Sequence, residues 1–367
     1  RCHSQDALYY LNGRYYCRKC IGFHRVFVDE KRITHSQRYT PSTASYDLQF
    51  KLSKTQRDIS HQLVMNYEQA KNSLVLAVCG SGKTEIVFEL ILHALKKGDR
   101  VCFCIPRKEL VIELYQRIQE AFHQMNIGVA YGGYVENIEA QFIVCTMHQL
   151  YRFENHRGFH LMIADEVDAF PFYNNTVLEE IFNNCCLKSW VKLSATFDIE
   201  DVQDGECLLI MNRRYHGFDL PTPQCFICPD MIQKYISLFL VKKLKHRVLF
   251  FVPKISDIDL FIAFFKRYHI LAMGVSSIHT NNRDVISQLK DDKIQAIITT
   301  TLLERGITIE NVQVIVYSCQ HHLFDRRTLI QIAGRVGRKP NHPTGKVYFL
   351  ANEKTKGMKQ CINTIKK

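Results

Sequence analysis

The sequence lacks the features of a membrane-spanning or secreted protein. None of its apolar runs approaches the roughly 18–20 residues that a transmembrane helix needs. Its first residues, Arg1-Cys2-His3-Ser4, contain no apolar segment of the kind found in a secretory signal. They also lack an initiator Met, so we expect the sequence to begin inside a longer natural protein. It contains no low-complexity tract and no short-period repeat.

Acidic residues are few relative to basic ones. Against 36 Asp and Glu residues stand 48 Lys and Arg residues, which gives a formal net charge of +12. Such an excess points to a polyanionic partner, nucleic acid or an anionic membrane face, although many soluble proteins are mildly basic without one. The length of 367 residues allows two or three domains, and a hydrophobic content of 46% supports buried cores.

Fourteen cysteines are present, and most lie singly in apolar runs. Cys102 and Cys104, within Val101–Ile105, are examples, and in such runs cysteine acts as a small hydrophobe. This usage favours a reducing compartment and predicts a cytoplasmic protein. We interpret Cys185-Cys186 as helix packing. We interpret the pair Cys225-Phe-Ile-Cys228 as non-ligating, since no second pair lies nearby.

Residues 1–38 differ in composition from the rest of the chain. They hold eight Lys or Arg residues against three Asp or Glu residues, a net charge of +5. Six aromatic residues are interspersed among them: Tyr9, Tyr10, Tyr15, Tyr16, Phe23 and Phe27. A polar stretch with turn residues, His35–Tyr46, follows and is typical of a linker. We therefore predict a separate N-terminal module over residues 1–38.

From about residue 48, short apolar runs alternate with amphipathic ones, a pattern that predicts α/β domains with parallel sheets. The first series predicts a helix over Glu85–Lys97, capped by Gly98, and strands at Ser73–Val78, Val101–Ile105, Phe142–Thr146, Leu161–Ala164 and Val191–Ser194. A Pro-containing segment, Asn212–Pro229, is interpreted as a linker. The second series predicts strands at Arg247–Val252, Ala296–Thr299, Val312–Tyr317 and Lys346–Leu350, with helices at Ile258–Tyr268 and Arg327–Val336. These series define predicted domains over 39–215 and 216–367.

The strongest motif is Ala77-Val-Cys-Gly-Ser-Gly-Lys-Thr84, which differs from the phosphate-binding P-loop pattern only in its first residue. Gly80, Ser81 and Gly82 would turn backbone N–H groups around the phosphates of ATP. Lys83 would reach the β- and γ-phosphates, and Thr84 would ligate Mg²⁺. A fortuitous Gly-rich turn is the alternative, but strand, loop, Lys-Thr and helix all occur in register here.

Two further segments fit the chemistry of phosphoryl transfer. Asp165 and Glu166 follow an apolar strand, where Asp165 would hold Mg²⁺ and Glu166 would orient the attacking water. If the segment 331–338 is helical, Gln331, Arg335 and Arg338 lie on one face, and the two guanidinium groups could act as arginine fingers. Two glycines in such a helix would cost about 1 kcal/mol each relative to Ala, which suggests a close approach to another segment. The alternatives are an acidic turn and a basic exposed helix.

The N-terminal cysteines have the spacing of a metal site. Cys17-Arg-Lys-Cys20 is a CxxC knuckle, and Cys2 precedes it by fifteen residues. Four ligands would bind Zn²⁺ in a tetrahedron, with Cys2, Cys17 and Cys20 supplying three. The fourth would be a Cys before residue 1, His3 or His24. A small core with unmetallated cysteines is the alternative, but so short a segment is hard to stabilise without a metal.

The order of these motifs resembles that of superfamily 2 helicases and translocases, and the resemblance covers residues 48–350. The motifs that carry it are Leu52-Ser-Lys-Thr-Gln56, Ala77–Thr84, Pro106–Leu110, Gly132-Gly133, Thr146–Leu150, Asp165–Asp168, Ser194-Ala-Thr196, Thr299–Gly306 and Gln331–Arg338. The resemblance implies two RecA-like domains in tandem, with ATP bound between them. It also implies that Gln56 reads adenine and that Gly306 contacts the nucleotide. Arg107, Thr146, His148 and Thr299 would contact the backbone of a DNA strand.

Within this superfamily the chain resembles the bacterial ComFA-like DNA-uptake ATPases. The acidic motif Asp165-Glu-Val-Asp-Ala-Phe-Pro171 differs from that of RNA helicases, and the cysteine cluster is N-terminal. Glu304-Arg-Gly306 with Gln331–Arg338 is shared by this family and the primosomal restart helicases. The resemblance implies a single-stranded-DNA-stimulated ATPase that pulls DNA during natural transformation, with a membrane uptake channel and other competence proteins as partners. It implies a location at the inner face of the cell membrane, and it favours a zinc ribbon whose fourth Cys precedes residue 1.

Two other functions fit the motifs less well. A restart or repair helicase would separate duplexes, for which we find no wedge in the sequence. A non-catalytic nucleic-acid-binding adaptor would not need the intact Lys83, Glu166 and Arg338.

Overall fold

The structure is a computed structural model, and it contains the predicted alternation of strands and helices. It describes residues 6–23, 25–29, 34–48, 50–123, 125–154, 156–196, 202, 204–244, 247–278, 281–304 and 309–366, with position 283 described by its backbone only. Clustering of contacts divides the chain into two units, Arg1–Ala77 with Gly82–Asn212, and Val78–Ser81 with Arg213–Lys367. The four residues Val78–Ser81 of the P-loop thus group with the second unit.

The first unit is built on an eight-stranded sheet. Its strands are β4 (Ser73–Ala77), β5 (Val101–Ile105), β7 (Ile127–Tyr131), β8 (Tyr134–Glu136), β9 (Phe142–Thr146), β10 (Phe159–Asp165), β11 (Cys186–Ser194) and β12 (Cys207–Met211). Their order is β12-β4-β11-β10-β5-β9-β7-β8, and every pair is parallel except β7 with β8. The helices are α1 (Lys54–Glu68), α2 (Phe88–Lys96), α3 (Lys108–Ala121) and α4 (Thr176–Cys185), and β3 (Ser45–Tyr46) pairs with β6 (Phe122–His123) beside them.

Alternating side chains on the buried strands create two cores, one on each face of this sheet. Val101 and Phe103 of β5 belong to the core that α1, α2 and α3 cover. Cys102 and Cys104, which point the other way, pack with Cys145 into the core under α4. Cys102 and Cys104 are fully buried free thiols, which confirms that they serve as small hydrophobes.

The second unit holds a six-stranded sheet whose pairs are all parallel. Its strands are β13 (Gln224–Ile227), β14 (Arg247–Phe251), β15 (Ala272–Val275), β16 (Ala296–Thr299), β17 (Val312–Val316) and β18 (Val347–Ala351) in the order β13-β18-β17-β14-β16-β15. Residues of α5 (Asp230–Leu244) and α6 (Ile255–Arg267) contribute to one core. The opposite core contains residues of α7 (Asn282–Lys290), α8 (Arg326–Ala333) and α9 (Lys356–Lys366).

Most predicted elements are confirmed, one interpretation is incomplete and two are wrong. The predicted bounds of β5, β9 and β16 match, and Gly98 follows α2 with a φ of +74°, as a helix C-cap requires. The segment Asn212–Pro229 is not only a linker, because it contains β13, an edge strand of the second sheet. The helix over Arg327–Val336 ends earlier, at Ala333. Cys186 begins β11 rather than ending a helix, although the thiol of Cys185 is buried in the core as expected.

The N-terminal residues form a hairpin that packs on the first unit. Strands β1 (Leu8–Leu11) and β2 (Arg14–Cys17) pair antiparallel. Cys17, Cys20 and Val26 are buried in the same core as Cys145. The ring of Phe23 stacks on His148, with centroids 5.6 Å apart. Among the described residues, no helix has the length and apolarity needed to cross a bilayer.

Candidate functional site

The phosphate-binding loop has the backbone that its sequence predicts. It leaves the buried strand β4 at Ala77 and continues toward α2. Gly80 and Gly82 have φ values of +81° and +79°, in the left-handed region that glycine adopts without strain. These are the two positions at which the sequence predicts that the backbone turns inward.

Gln56 lies against this loop within the first unit. The start of α1 fixes it, because Ser53 and Gln56 form a reciprocal capping box in which Ser53 N donates to Gln56 Oε1 over 2.8 Å. A Cβ at Gly82 would lie 2.5 Å from Gln56 Nε2. Gly82 therefore leaves room for the buried amide of Gln56, which puts the predicted adenine reader next to the phosphate loop.

Lys83 and the acidic pair at the end of β10 come together. Lys83 Nζ is 3.6 Å from Asp165 Oδ1, and both side chains are largely shielded from solvent. Asp165 Oδ1 also accepts a 2.7 Å hydrogen bond from the backbone N–H of Glu166, whose φ is +55°. The tight turn after the strand holds the Asp165 carboxylate at the loop. This is the arrangement expected of a lysine and a carboxylate that share a Mg²⁺-bound triphosphate.

A second hydrogen-bonded group lies behind this acidic turn. Thr196 Oγ1 donates to Asp168 Oδ2, and the backbone N–H of Thr196 donates to Ser194 Oγ over 3.1 Å. All three side chains are buried. The motif that ends β11 therefore contacts the motif that ends β10.

In the second unit, Gln331 and Arg335 are buried and Arg338 is partly exposed. Arg335 Nε donates to the carbonyl of Glu304 over 2.9 Å, and Arg338 Nε donates to that of Gly334 over 3.1 Å. The helical spacing predicted for these residues is wrong, because α8 ends at Ala333 and Gly337 has a φ of +71°. The segment Gly334–Arg338, here called the arginine loop, is a turn rather than a helix.

The close approach predicted from the two glycines is confirmed. A Cβ at Gly334 would lie 2.5 Å from the Cβ of Cys79, a residue that groups with the second unit. The thiol of Cys79 donates to Gln331 Oε1 over 3.1 Å. Gln331 Nε2 is buried and has no hydrogen-bond partner among the described residues. An amide donor left open in this way fits a site that receives a further acceptor, such as a phosphate oxygen.

Arg214 is a further buried residue that the sequence did not predict, because it lies in the segment interpreted as a linker. It is 3% exposed, and its guanidinium donates to four backbone carbonyls, those of Cys79, Gly334, Val336 and Gly337. Burial lowers its pKa to about 10. Its partners are main-chain carbonyls, so no acidic residue in the sequence indicates that Arg214 is buried and bonded.

The residues predicted to contact DNA lie in different environments. Arg107 is partly exposed at the start of α3, and His148 is exposed although its ring stacks on Phe23. Neighbouring atoms still displace water from its ring, and this desolvation lowers the pKa of His148 below its usual value. Thr146 and Thr299 end the strands β9 and β16, and both are buried.

Two of the predicted metal ligands can be located. Cys17 and Cys20 are buried at the end of the N-terminal hairpin, where Cys17 N donates to the carbonyl of Val26. Cys2 lies outside the described residues, as do His3, His24 and the predicted nucleotide contact Gly306. No group of three or more His, Cys, Asp or Glu side chains is arranged to hold a metal ion within the described part of the chain. Cys17 and Cys20 by themselves would supply only two of the four ligands that a structural zinc ion needs.

Comparison with known proteins gives the class of this molecule. The family model for the type III restriction enzyme res subunit matches residues 49–199, and that for the helicase conserved C-terminal domain matches residues 230–340. The solved structure of S. cerevisiae Dbp5 bound to RNA and ADP BeF3 has a TM-score of 0.60 and 16% identity, and covers 86% of this chain and 91% of that chain. The fold is thus that of two tandem RecA-like domains, and the chain is a superfamily 2 helicase with an ATP-hydrolysing site.

Two relatives match over the whole chain. Competence protein ComFA of Streptococcus pneumoniae is 30% identical, with 100% of this chain and 88% of the relative aligned. Competence protein ComFA of Bacillus subtilis is 31% identical, with 100% and 84% aligned. The chain belongs to the ComFA family.

Proposed function

We propose that this protein is an ATP-dependent translocase on single-stranded DNA that drives DNA uptake in natural transformation. The observation that carries the proposal is the contact of Lys83 with Asp165 beside Glu166, on the P-loop of a ComFA-family chain. A lysine and two carboxylates at the ends of parallel strands are what ATP hydrolysis requires. The relatives are named competence proteins, which supports uptake as the process served.

Each residue of the phosphate-binding loop and of the motifs beside it has a distinct role toward ATP. Gly80, Ser81 and Gly82 present backbone N–H groups to the phosphates, and Gln56 selects adenine. Lys83 neutralises the β- and γ-phosphates. Glu166 accepts a proton from the attacking water, which its position next to Asp165 allows.

The oxygen atoms at this site fit a magnesium ion. The Thr84 hydroxyl and the Asp165 carboxylate would hold it, since Mg²⁺ prefers hard oxygen ligands and keeps several waters. When bound, Mg²⁺ supplies charge neutralisation on the phosphate oxygens. Lys83 adds a fixed positive charge to the same group of atoms.

In the second unit, Gln331, Arg335 and Arg338 serve the γ-phosphate. The open Nε2 of Gln331 supports a role as a donor to a phosphate oxygen. The guanidinium groups would stabilise the charge that develops during transfer, as arginine fingers do. Gly306 would contact the nucleotide from the neighbouring motif.

Single-stranded DNA would pass over exposed basic and aromatic residues. Arg107 and His148, which are partly exposed and exposed, would contact its backbone. Thr146 and Thr299 would need contact through main-chain atoms, because their side chains are buried. The hairpin adds four tyrosines to this surface, and the guanidinium of Arg18 lies over the ring of Tyr9. Stacking and phosphate contact without base reading suit a strand of any sequence.

We also propose that residues 1–38 form a zinc ribbon held by Cys2, Cys17, Cys20 and a fourth ligand. The buried thiols of Cys17 and Cys20 support it. Metal analysis should show one zinc ion per chain in the wild type and in the control Cys228→Ser, and none in Cys17→Ser. Unchanged zinc in Cys17→Ser would contradict the ribbon.

The module, the first motor domain over 39–215 and the second over 216–367 together form the proposed motor. Its partners would be a membrane DNA-uptake channel and other competence proteins, and its location would be the cytoplasm, at the inner face of the cell membrane. The net charge of +12 supports attraction to both a polyanionic strand and an anionic membrane face.

The proposal is tested by ATP hydrolysis measured with and without single-stranded DNA. We expect stimulation in the wild type and its loss in Lys83→Ala and Glu166→Gln, each with DNA affinity retained. Equal turnover in all three proteins would rule out the motor and leave a DNA-binding adaptor. Displacement of one strand from a duplex, measured alongside, would instead indicate a restart or repair helicase.

A further inference from the structure

Arg214 is a buried cation, and each polar partner found for it among the described residues is a main-chain carbonyl. Its Nε donates to Cys79 over 3.1 Å, its Nη1 to Val336 and Gly337 over 2.8 and 2.6 Å, and its Nη2 to Gly334 over 3.2 Å. These residues all belong to the second unit. The preceding residue, Arg213, is exposed. The burial of Arg214 therefore reflects its contacts and not the general basicity of the segment.

Burying a guanidinium without a carboxylate is costly, and several charge-assisted hydrogen bonds are needed to offset that cost. Only arginine presents donors in a planar fork that can reach four carbonyls at once. The ammonium of lysine has three donors around one atom and could not span the same set. Arginine is therefore the side chain that fits this arrangement of four carbonyls.

Three of the four carbonyls belong to the arginine loop that follows α8. A helix ends with carbonyls that have no partner within the helix, and a positive charge there is favourable. Two neighbouring side chains add to this contact, since His216 Nε2 lies 3.0 Å from the carbonyl of Gly337 and Tyr215 Oη donates to that of Arg338 over 3.3 Å. The backbone that carries Arg335 and Arg338 is thereby fixed along its length.

The fourth carbonyl is that of Cys79, in the phosphate-binding loop. One guanidinium thus joins the backbone of this loop to the backbone of the arginine loop. The thiol of Cys79 and the absent Cβ of Gly334 bring the same two segments into contact.

We propose that Arg214 is a positioning residue for ATP hydrolysis, which holds the arginine loop against the segment Val78–Ser81 of the phosphate-binding loop, in the same unit. It acts through Arg335 and Arg338 and does not need to touch ATP. The proposal rests on the roles proposed above for these two residues. Misplacing a catalytic group by about 1 Å can lower the rate on the order of 100-fold, so a fixed spacing has a large effect.

The test compares Arg214→Ala and Arg214→Lys with the matched control Arg213→Ala in the full chain. With saturating single-stranded DNA, we expect both Arg214 variants to lose on the order of 100-fold in kcat, with the KM for ATP changed by less than about threefold. Arg213→Ala should remain near the wild type. Free guanidinium at millimolar concentration should restore part of the kcat of Arg214→Ala, and methylammonium should not.

Two results would overturn the proposal. One is a kcat of Arg214→Ala within about twofold of the wild type. The other is a loss of kcat that guanidinium does not restore and that is accompanied by a lower melting temperature. This result would show a structural role only. If Arg214→Ala does not fold, Arg214→Gln, which keeps two amide donors, gives the same readout. If the wild type itself hydrolyses ATP without stimulation by DNA, the translocase proposal fails, while the comparison of kcat among the variants still decides the role of Arg214.

Discussion

Glycine at position 334 is required by a neighbouring residue and not by its own backbone. Its φ of −62° suits any amino acid, but a Cβ would lie 2.5 Å from Cys79 Cβ and 2.8 Å from Cys79 Sγ. Gly334→Ala would therefore push the arginine loop away from Cys79. We expect the free energy of unfolding to fall by about 1–3 kcal/mol. We expect kcat to fall by a larger fraction of its wild-type value, because the arginine loop is displaced.

The control for this prediction is Gly22→Ala, because a Cβ there meets nothing within 4 Å and its φ is not positive. Thermal melting and ATP hydrolysis should both stay near the wild type in this control. Wild-type hydrolysis in Gly334→Ala would show that the contact with Cys79 does not matter to the site.

His160 gives the first unit a pH-dependent stability. Its Nδ1 accepts the backbone N–H of Arg100 over 3.1 Å, so Nε2 carries the proton and donates to Ser36 Oγ over 3.0 Å. Burial, followed by the charges of Arg38 and Lys188, lowers its pKa to about 4 from a usual value near 6.5. As the pH falls, the unfolded chain therefore binds a proton at His160 before the folded chain does. The stabilisation is complete above pH 6.5 and is lost as the pH falls toward 4, by about 3 kcal/mol at most.

Chemical denaturation at pH 7 and pH 5 measures this effect. The difference in unfolding free energy between the two pH values should be smaller in His160→Gln than in the wild type. The exposed His156 provides the control, and His156→Gln should keep the wild-type difference. An unchanged difference in His160→Gln would show that His160 does not set the acid sensitivity.

The residues proposed to act on phosphate could be predicted from the sequence, whereas Arg214, which binds main-chain carbonyls, could not. Lys83, Asp165 and Gln331 lie in motifs whose spacing follows from the chemistry of a triphosphate, and the structure brings Lys83 to Asp165. Arg214 has carbonyl partners, which every residue carries, so no pattern of side chains points to it. The ligands of the predicted zinc site and Gly306 remain predictions, because Cys2 and Gly306 lie outside the described residues.

The hairpin β1–β2 is the element that we expect to add affinity for a single strand. Tyr10 and Tyr15 are 64% and 55% exposed, and their rings lie 5.0 Å apart. Replacing both with Ala should weaken single-stranded DNA binding by about 1–3 kcal/mol for each base that stacks. ATP hydrolysis without DNA should not change, since neither ring lies in a nucleotide-binding motif.

Fluorescence anisotropy with a labelled single strand measures this affinity. Phe239→Ala is a matched control because Phe239 is 60% exposed on α5 of the second unit. Binding of the Tyr10 and Tyr15 double variant with wild-type affinity would show that the hairpin does not touch the strand.

Elements inside the sheets were predicted better than their ends. Continuous apolar runs such as Val101–Ile105 and Phe142–Thr146 form strands with the predicted bounds, because a parallel strand is buried on both faces. The end of α8 was missed, since apolar spacing continues to Val336 while Gly334 and Gly337 turn the chain. The strand β13 was missed because four residues between prolines give little periodic signal.

At the scale of the whole molecule, alternation of strands and helices predicted two α/β halves, and both are present. What could not be predicted from composition is the packing of the N-terminal hairpin on the first unit, where Cys17 and Cys20 join the core that holds Cys145. The basic composition of residues 1–38 predicts a separate module, because composition does not show where their few apolar side chains pack. The ComFA family membership, supported over the full chain, gives the motor its proposed cellular process.

In the function proposed for this protein, ATP hydrolysis moves it along single-stranded DNA. The most direct measurement is the displacement of streptavidin from a biotin placed at one end of a single strand, followed with ATP and with a non-hydrolysable analogue. We expect the wild type to displace streptavidin from one end only and with ATP only, and we expect no displacement by Glu166→Gln. ATP hydrolysis by the wild type without displacement from either end would contradict it.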